Sequence, residues 1–174
     1  PMAYRDDLLK QFFTLKKTFT NYTSYGQADV QTTLRALHAP SVTTVVLETC
    51  ASGWLENRSG AAVFHPWPTT AQWAPVQGIV GGDWTGDGLA DILLSGNNFA
   101  TETSTGRYDA FSGLLLAQEN KLTFAPLTIA QSGIYLPGDA RKIAAIVLAP
   151  FGQKAVIAVR NNDLTQLFVR QTTE

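Results

Sequence analysis

Residues 83–91 read Asp-Trp-Thr-Gly-Asp-Gly-Leu-Ala-Asp, between Val76-Gln77-Gly78-Ile79-Val80 and Ile92-Leu93-Leu94. Both flanks are short, apolar and β-prone, so the nonapeptide joins two buried strands rather than two helices. It carries carboxylates at its positions 1, 5 and 9, a hydroxyl at position 3 and a glycine at position 6. A hard cation such as calcium takes several oxygen ligands at about 2.3–2.6 Å, and a tightly curled acidic loop supplies them. Gly88, at position 6, permits the sharp turn that folds the carboxylates inward. Carboxylates this close in sequence repel one another unless a cation sits between them. The candidate metal ligands are therefore Asp83, Thr85, Asp87, the backbone carbonyl of Leu89, and Asp91. Position 12 is Leu94, where an EF-hand needs a bidentate Glu, so the loop is not of that type. The competing reading is a polar turn whose aspartates bond only their own backbone.

The rest of the chain alternates short apolar runs with turn residues. Strands are expected near 43–49, 53–57, 61–65, 76–82, 91–96, 111–117, 122–126, 141–148, 154–160 and 164–169, with Gly and Pro between them. A spacing of about ten residues, four strands to a unit, is the pattern of a propeller blade. Strands 76–126 then make one complete blade, 43–65 most of the preceding one and 141–169 most of the following one. Residues 1–40 differ. Asp6 and Asp7 open a helix that Lys16-Lys17 closes, and Asp29 caps a second that runs through Leu34, Leu37 and His38 and stops at Pro40. Phe19, Tyr22 and Tyr25 are expected to pack these helices onto the main body, or to form a partner-binding face. The expected architecture is all-β: about three four-stranded antiparallel blades over residues 41–174, with a helical N-terminal segment over 1–40.

The stretch Val80–Leu94 resembles the FG-GAP or VCBS repeat, the blade unit of integrin-type β-propellers. Thr85 departs from the usual Asn or Asp of that repeat. Further stretches resemble the C-terminal part of bacterial exported proteins that carry such repeats and an ASPIC/UnbV-like domain: Tyr4–Lys10, Leu15–Tyr22, Leu55–Arg58, Ala71–Val76, Gly106-Arg107-Tyr108-Asp109-Ala110, Ser132–Tyr135 and Ala158-Val159-Arg160-Asn161-Asn162. The resemblance implies a non-catalytic binding or scaffold module stabilised by structural calcium. It implies an extracellular, periplasmic or outer-cell-surface setting and a protein or glycan ligand. Three blades are too few to close a ring. The chain therefore reads as a piece of a longer protein whose remaining blades, or a second copy, cover the open sheet edges, with strand 164–169 the most exposed of them.

Other function classes find little support. Net charge is −1, so no basic field draws nucleic acid. No apolar run reaches the length of a membrane span. The single cysteine, Cys50, lies in an apolar run and reads as a buried structural thiol. His38 and His65 lack partners at zinc-ligand spacing, and no serine sits in a nucleophile elbow. Outside the 83–91 loop the acids are scattered, which disfavours the alternative of a polysaccharide-active hydrolase or lyase on the same scaffold. Arg107 and Asp109 are either ligand contacts or an ion pair that fixes a turn. Trp54, Trp67, Trp73 and Trp84 are either a sugar-stacking platform, with Trp84 the best placed, or core. Asn21-Tyr22-Thr23 and Asn57-Arg58-Ser59 match the N-glycosylation pattern, which matters only in a eukaryotic secretory setting.

Overall fold

A computed structural model describes residues 3–38, 41–150 and 152–170. The chain divides into two compact units, Pro1–Glu48 and Thr49–Glu174.

The first unit is helical. Helix α1 spans Arg5–Gln11, a 3-10 turn follows over Phe13–Lys17, and two short helices, α2 (Tyr22–Gly26) and α3 (Val30–Ala36), complete it. The single helix expected from Asp6 to Lys17 is thus two pieces, broken where Phe12 leaves helical geometry (φ −126°, ψ 80°). Asp29 caps α3 as expected, its carboxylate accepting from the Thr32 amide at 2.7 Å. Pro40 lies outside the described residues. The α2 helix went unanticipated, although Asn21 caps it through the Ser24 amide at 2.8 Å. Phe19 and Tyr25 meet edge to face at 5.3 Å and form a core of their own with Leu9 and Leu15. Tyr22 is exposed. Phe19 and Tyr25 therefore build the interior of this unit.

The second unit contains three antiparallel sheets. Strands β1 (Gly53–Arg58) and β2 (Ala61–Pro66) form a hairpin. Strands β3 (Val76–Gly82), β4 (Asp91–Gly96), β5 (Leu114–Asn120) and β6 (Thr123–Leu127) form a four-stranded meander in sequence order. After a one-turn helix, α4 (Ile129–Ser132), strands β7 (Ala140–Leu148), β8 (Gln153–Arg160) and β9 (Gln166–Val169) form a three-stranded sheet. The fold is mostly sheet, as expected.

The expected strand 43–49 is absent: residues 41–52 have no regular structure, and Val45, Val46 and Leu47 are exposed. High β-propensity makes a strand only when another strand supplies its backbone partners. Cys50 is exposed too, which corrects its reading as a buried thiol.

Two clusters fill the second unit. One joins Trp67, Ala71 and Ala74 to Leu94, Phe111, Leu114 and Leu116; the other joins Leu93 and Leu115 to Leu136, Ile143, Val156 and Ala158. Alternation along β4 and β5 places Leu94 and Leu116 on one face and Leu93 and Leu115 on the other, so the meander is buried on both faces. On the second face β7 packs against β3 and β4. Gly78 is what lets β7 approach, because a Cβ there would meet Ser95 Oγ at 2.5 Å and Ile143 Cγ1 at 3.0 Å.

Candidate functional site

The nonapeptide 83–91 forms the connection between β3 and β4, as its flanks predict. Its first and last residues leave and enter the sheet as near neighbours, since Gly82 and Asp91 are register partners. Asp91 is fully buried at the start of β4. One carboxylate oxygen, Oδ2, accepts from the Trp84 and Thr85 amides at 2.9 and 2.7 Å; Oδ1 accepts from the Gln118 amide of β5 at 3.1 Å. The Gln118 side chain returns the link, its Oε1 accepting from Ala90 N at 3.1 Å. Asp91 is thus a clasp that holds the loop against two strands. Charge-assisted bonds to three amides satisfy a carboxylate that burial would otherwise penalise heavily.

Asp83 and Asp87 stand differently. Asp83 Oδ1 accepts from Gly86 N at 2.6 Å and Oδ2 from Gly88 N at 3.3 Å, so the loop winds round this carboxylate. Gly86 and Gly88 make the winding possible at φ +90° and +88°, values that side-chain-bearing residues rarely adopt. Asp87 is exposed and bonds only through Oδ1, to Leu89 N at 2.8 Å. Thr85 and Leu89 are exposed in the same loop.

Among the described residues no three carboxylates, imidazoles or thiols converge in a metal-binding group. The donor set still suits a hard cation. It is all oxygen, and every carboxylate oxygen that accepts one amide retains lone-pair capacity. Asp87 Oδ2 has no protein donor among the described hydrogen bonds. The three aspartates therefore divide into a buried clasp, Asp91, a half-buried carboxylate that the loop winds round, Asp83, and an exposed one, Asp87, a division that their even spacing in sequence does not reveal.

The remaining candidates scatter. Arg107 lies over the Phe99 ring at 4.8 Å, and among the described residues it forms no ion pair with Asp109. His65 stacks on Trp54 at 4.4 Å and meets Glu56 Oε2 at 3.0 Å. Glu56 is held below its ordinary carboxylate value, first by the hydrogen bond from Arg58 and then by the one from His65. Trp67 is buried, Trp73 is exposed, and Trp54 and Trp84 are half-buried, so the four tryptophans form no common platform. Asn57 Oδ1 accepts from Gly60 N and Asn21 Oδ1 from Ser24 N, which gives both sequon asparagines structural roles.

A second polar cluster was not anticipated. Asp139 is buried, its Oδ2 accepting from Arg141 Nη2 at 2.8 Å and from Asn161 Nδ2 at 3.2 Å; Arg141 also donates to Asn98 Oδ1 at 3.2 Å. Asn98 and Tyr108 exchange backbone hydrogen bonds at 2.9 and 3.0 Å. Beside them the buried Asn97, at φ +82°, donates to the carbonyls of Phe111 and Gly138 at 2.6 and 2.8 Å. Residues from the Gly106–Ala110 and Ala158–Asn162 stretches thereby meet in a latch between the meander and the three-stranded sheet. No local signal marks this cluster, because its partners lie up to 43 residues apart in sequence.

Comparison with known proteins finds no matching family model, no matching curated protein and no matching solved structure.

Proposed function

We propose that the chain is a non-catalytic binding or scaffold module of an exported or cell-surface bacterial protein, built from propeller-type blades and stabilised by calcium in the 83–91 loop. The observation that carries this reading is the loop itself: a glycine-permitted winding round Asp83, clasped by Asp91 and placed between adjacent antiparallel strands. Asp83, Asp87 and Asp91, with the Thr85 hydroxyl and the Leu89 carbonyl, would hold the ion. Its contribution would be to stiffen the β3–β4 connection, since binding to the folded state alone adds stability by mass action.

The meander β3–β6 corresponds to one whole blade. The sheet β7–β9 corresponds to a blade one strand short. In this reading the outer edge of β9 is covered in the full assembly by further blades of a longer chain, with pairing between two copies as the fallback. Thermal unfolding with added calcium or with chelator tests the metal. Light scattering on the chain tests the edge, and a homogeneous monomer would remove the fallback. A glycan array run beside a broad hydrolase screen tests the functional class: turnover abolished by one carboxylate substitution would replace the binding reading with catalysis.

A further inference from the structure

We infer that the cleft between the meander and the three-stranded sheet is a binding site for a small organic anion, a carboxylate carried on a ring. The inference rests on the binding-module reading and names its ligand class; it does not depend on calcium. The cleft has a volume of about 490 Å³, within the range typical of small-molecule sites. Its floor is apolar: Leu93 and Val156 come from the two facing sheets, and Phe168 and Trp84 supply aromatic surface. Among the described residues the charged groups in its wall are Lys154 and Arg170, both cationic and both exposed. Among the described residues neither takes part in an ion pair. In a chain of net charge −1, a wall whose described charges are two cations outside any ion pair is matched to negative charge.

Position adds to this. The Arg170 guanidinium lies against Gly86, where an added Cβ would collide with it, so the aspartate loop limits where that side chain can go. A guanidinium held at the mouth of an apolar cleft offers the planar fork that binds a carboxylate bidentately, while Lys154 adds a point charge. The ring of the ligand would lie on Phe168 and Val156. A uronic-acid end of a glycan and an aryl carboxylate share this chemistry.

Calorimetric titration of the full chain with a galacturonate oligomer, its neutral galactose counterpart and phenylacetate tests the site, once with calcium and once with chelator. Binding of either carboxylate, with no binding of the neutral sugar, is expected in both conditions. The arm that binds more tightly identifies the source. Arg170→Ala and Lys154→Ala should each weaken binding roughly tenfold or more, as loss of a charge-assisted hydrogen bond does. Both residues are exposed, so the variants should melt as the parent does. Arg170→Lys should recover part of the affinity. Absence of binding by both carboxylates, equal binding of the neutral sugar, or affinity unchanged in both alanine variants would overturn the proposal. Carboxylate binding that persists without any calcium effect on melting would leave this site standing and remove only the metal.

Discussion

The β1–β2 hairpin and the β3–β6 meander are both made of short antiparallel strands joined by turns, yet they are built to different depths. In β4 and β5 eight residues are buried: Asp91, Leu93, Leu94, Ser95, Gly96, Leu114, Leu115 and Leu116. In β1 and β2 none is fully buried. The difference comes from neighbours. Each central strand of the meander has a strand on both sides and a cluster on both faces. Among the described residues the hairpin has one partner for each strand; Trp54 stacks on His65 and meets Phe124 edge to face. A two-stranded hairpin is marginal unless another surface covers it. The sheet that carries the aspartate loop is therefore the rigid part of this unit, and the hairpin the part most easily opened.

Substitutions should separate the two regions. Leu116→Ala, at a fully buried position, should cost about 3–4 kcal/mol, as large-to-small changes in packed cores do. A loss below about 1 kcal/mol in denaturant melts would mean that the meander is not the core. Asp91→Ala should come next, at about 3 kcal/mol, because three amides lose their acceptor together. Leu55→Ala in β1, at an exposed position, should change stability by less than about 0.5 kcal/mol. Hydrogen exchange checks the same ordering without mutation: amides of β4 and β5 should outlast those of β1 and β2.

The smallest effect concerns pH. The Glu56 carboxyl is held below its ordinary value of 4.5 by Arg58 and His65, so the unfolded chain binds more protons there than the folded one. Its contribution is present above that value and fades as pH falls through the folded one. Solvent screening of this partly accessible side chain keeps it small. Glu56→Gln should lower the melting temperature slightly at neutral pH, and the difference should vanish in acid. A difference that grows with acidification would mean that folding raises the Glu56 pKa instead.

Sequence reading succeeded where the cause of a structure is local. The run Val76–Gly82, the loop and the run Asp91–Gly96 appear at their expected places, because alternation, turn glycines and a β-prone flank act within a few residues. The Asp29 cap was legible for the same reason. It failed where the cause is distant. The strand expected at 111–117 begins at Leu114 instead. Asn97 grips the Phe111 backbone through both its carbonyl and its amide, and Gly113 turns at φ +78° before pairing begins. Residues 43–49 have the composition of a strand and, among the described residues, no partner strand. The unequal roles of the aspartates were hidden as well, because Asp91 acquires its role from Gln118, 27 residues on.

The central claim is that the 83–91 loop is a structural calcium site, and thermal unfolding with and without the ion tests it most directly. With Thr85 at position 3 and exposed Asp87 as a ligand, modest affinity is expected, so about 10 mM calcium should raise the melting temperature of the β unit by about 3–6 °C over chelator. Asp87→Ala should abolish that increment while leaving the chelated melting temperature close to that of the parent, since this side chain bonds only within its own turn. Equal melting temperatures in calcium and chelator, or an increment that survives Asp87→Ala, would contradict the claim and leave the loop a clasped turn.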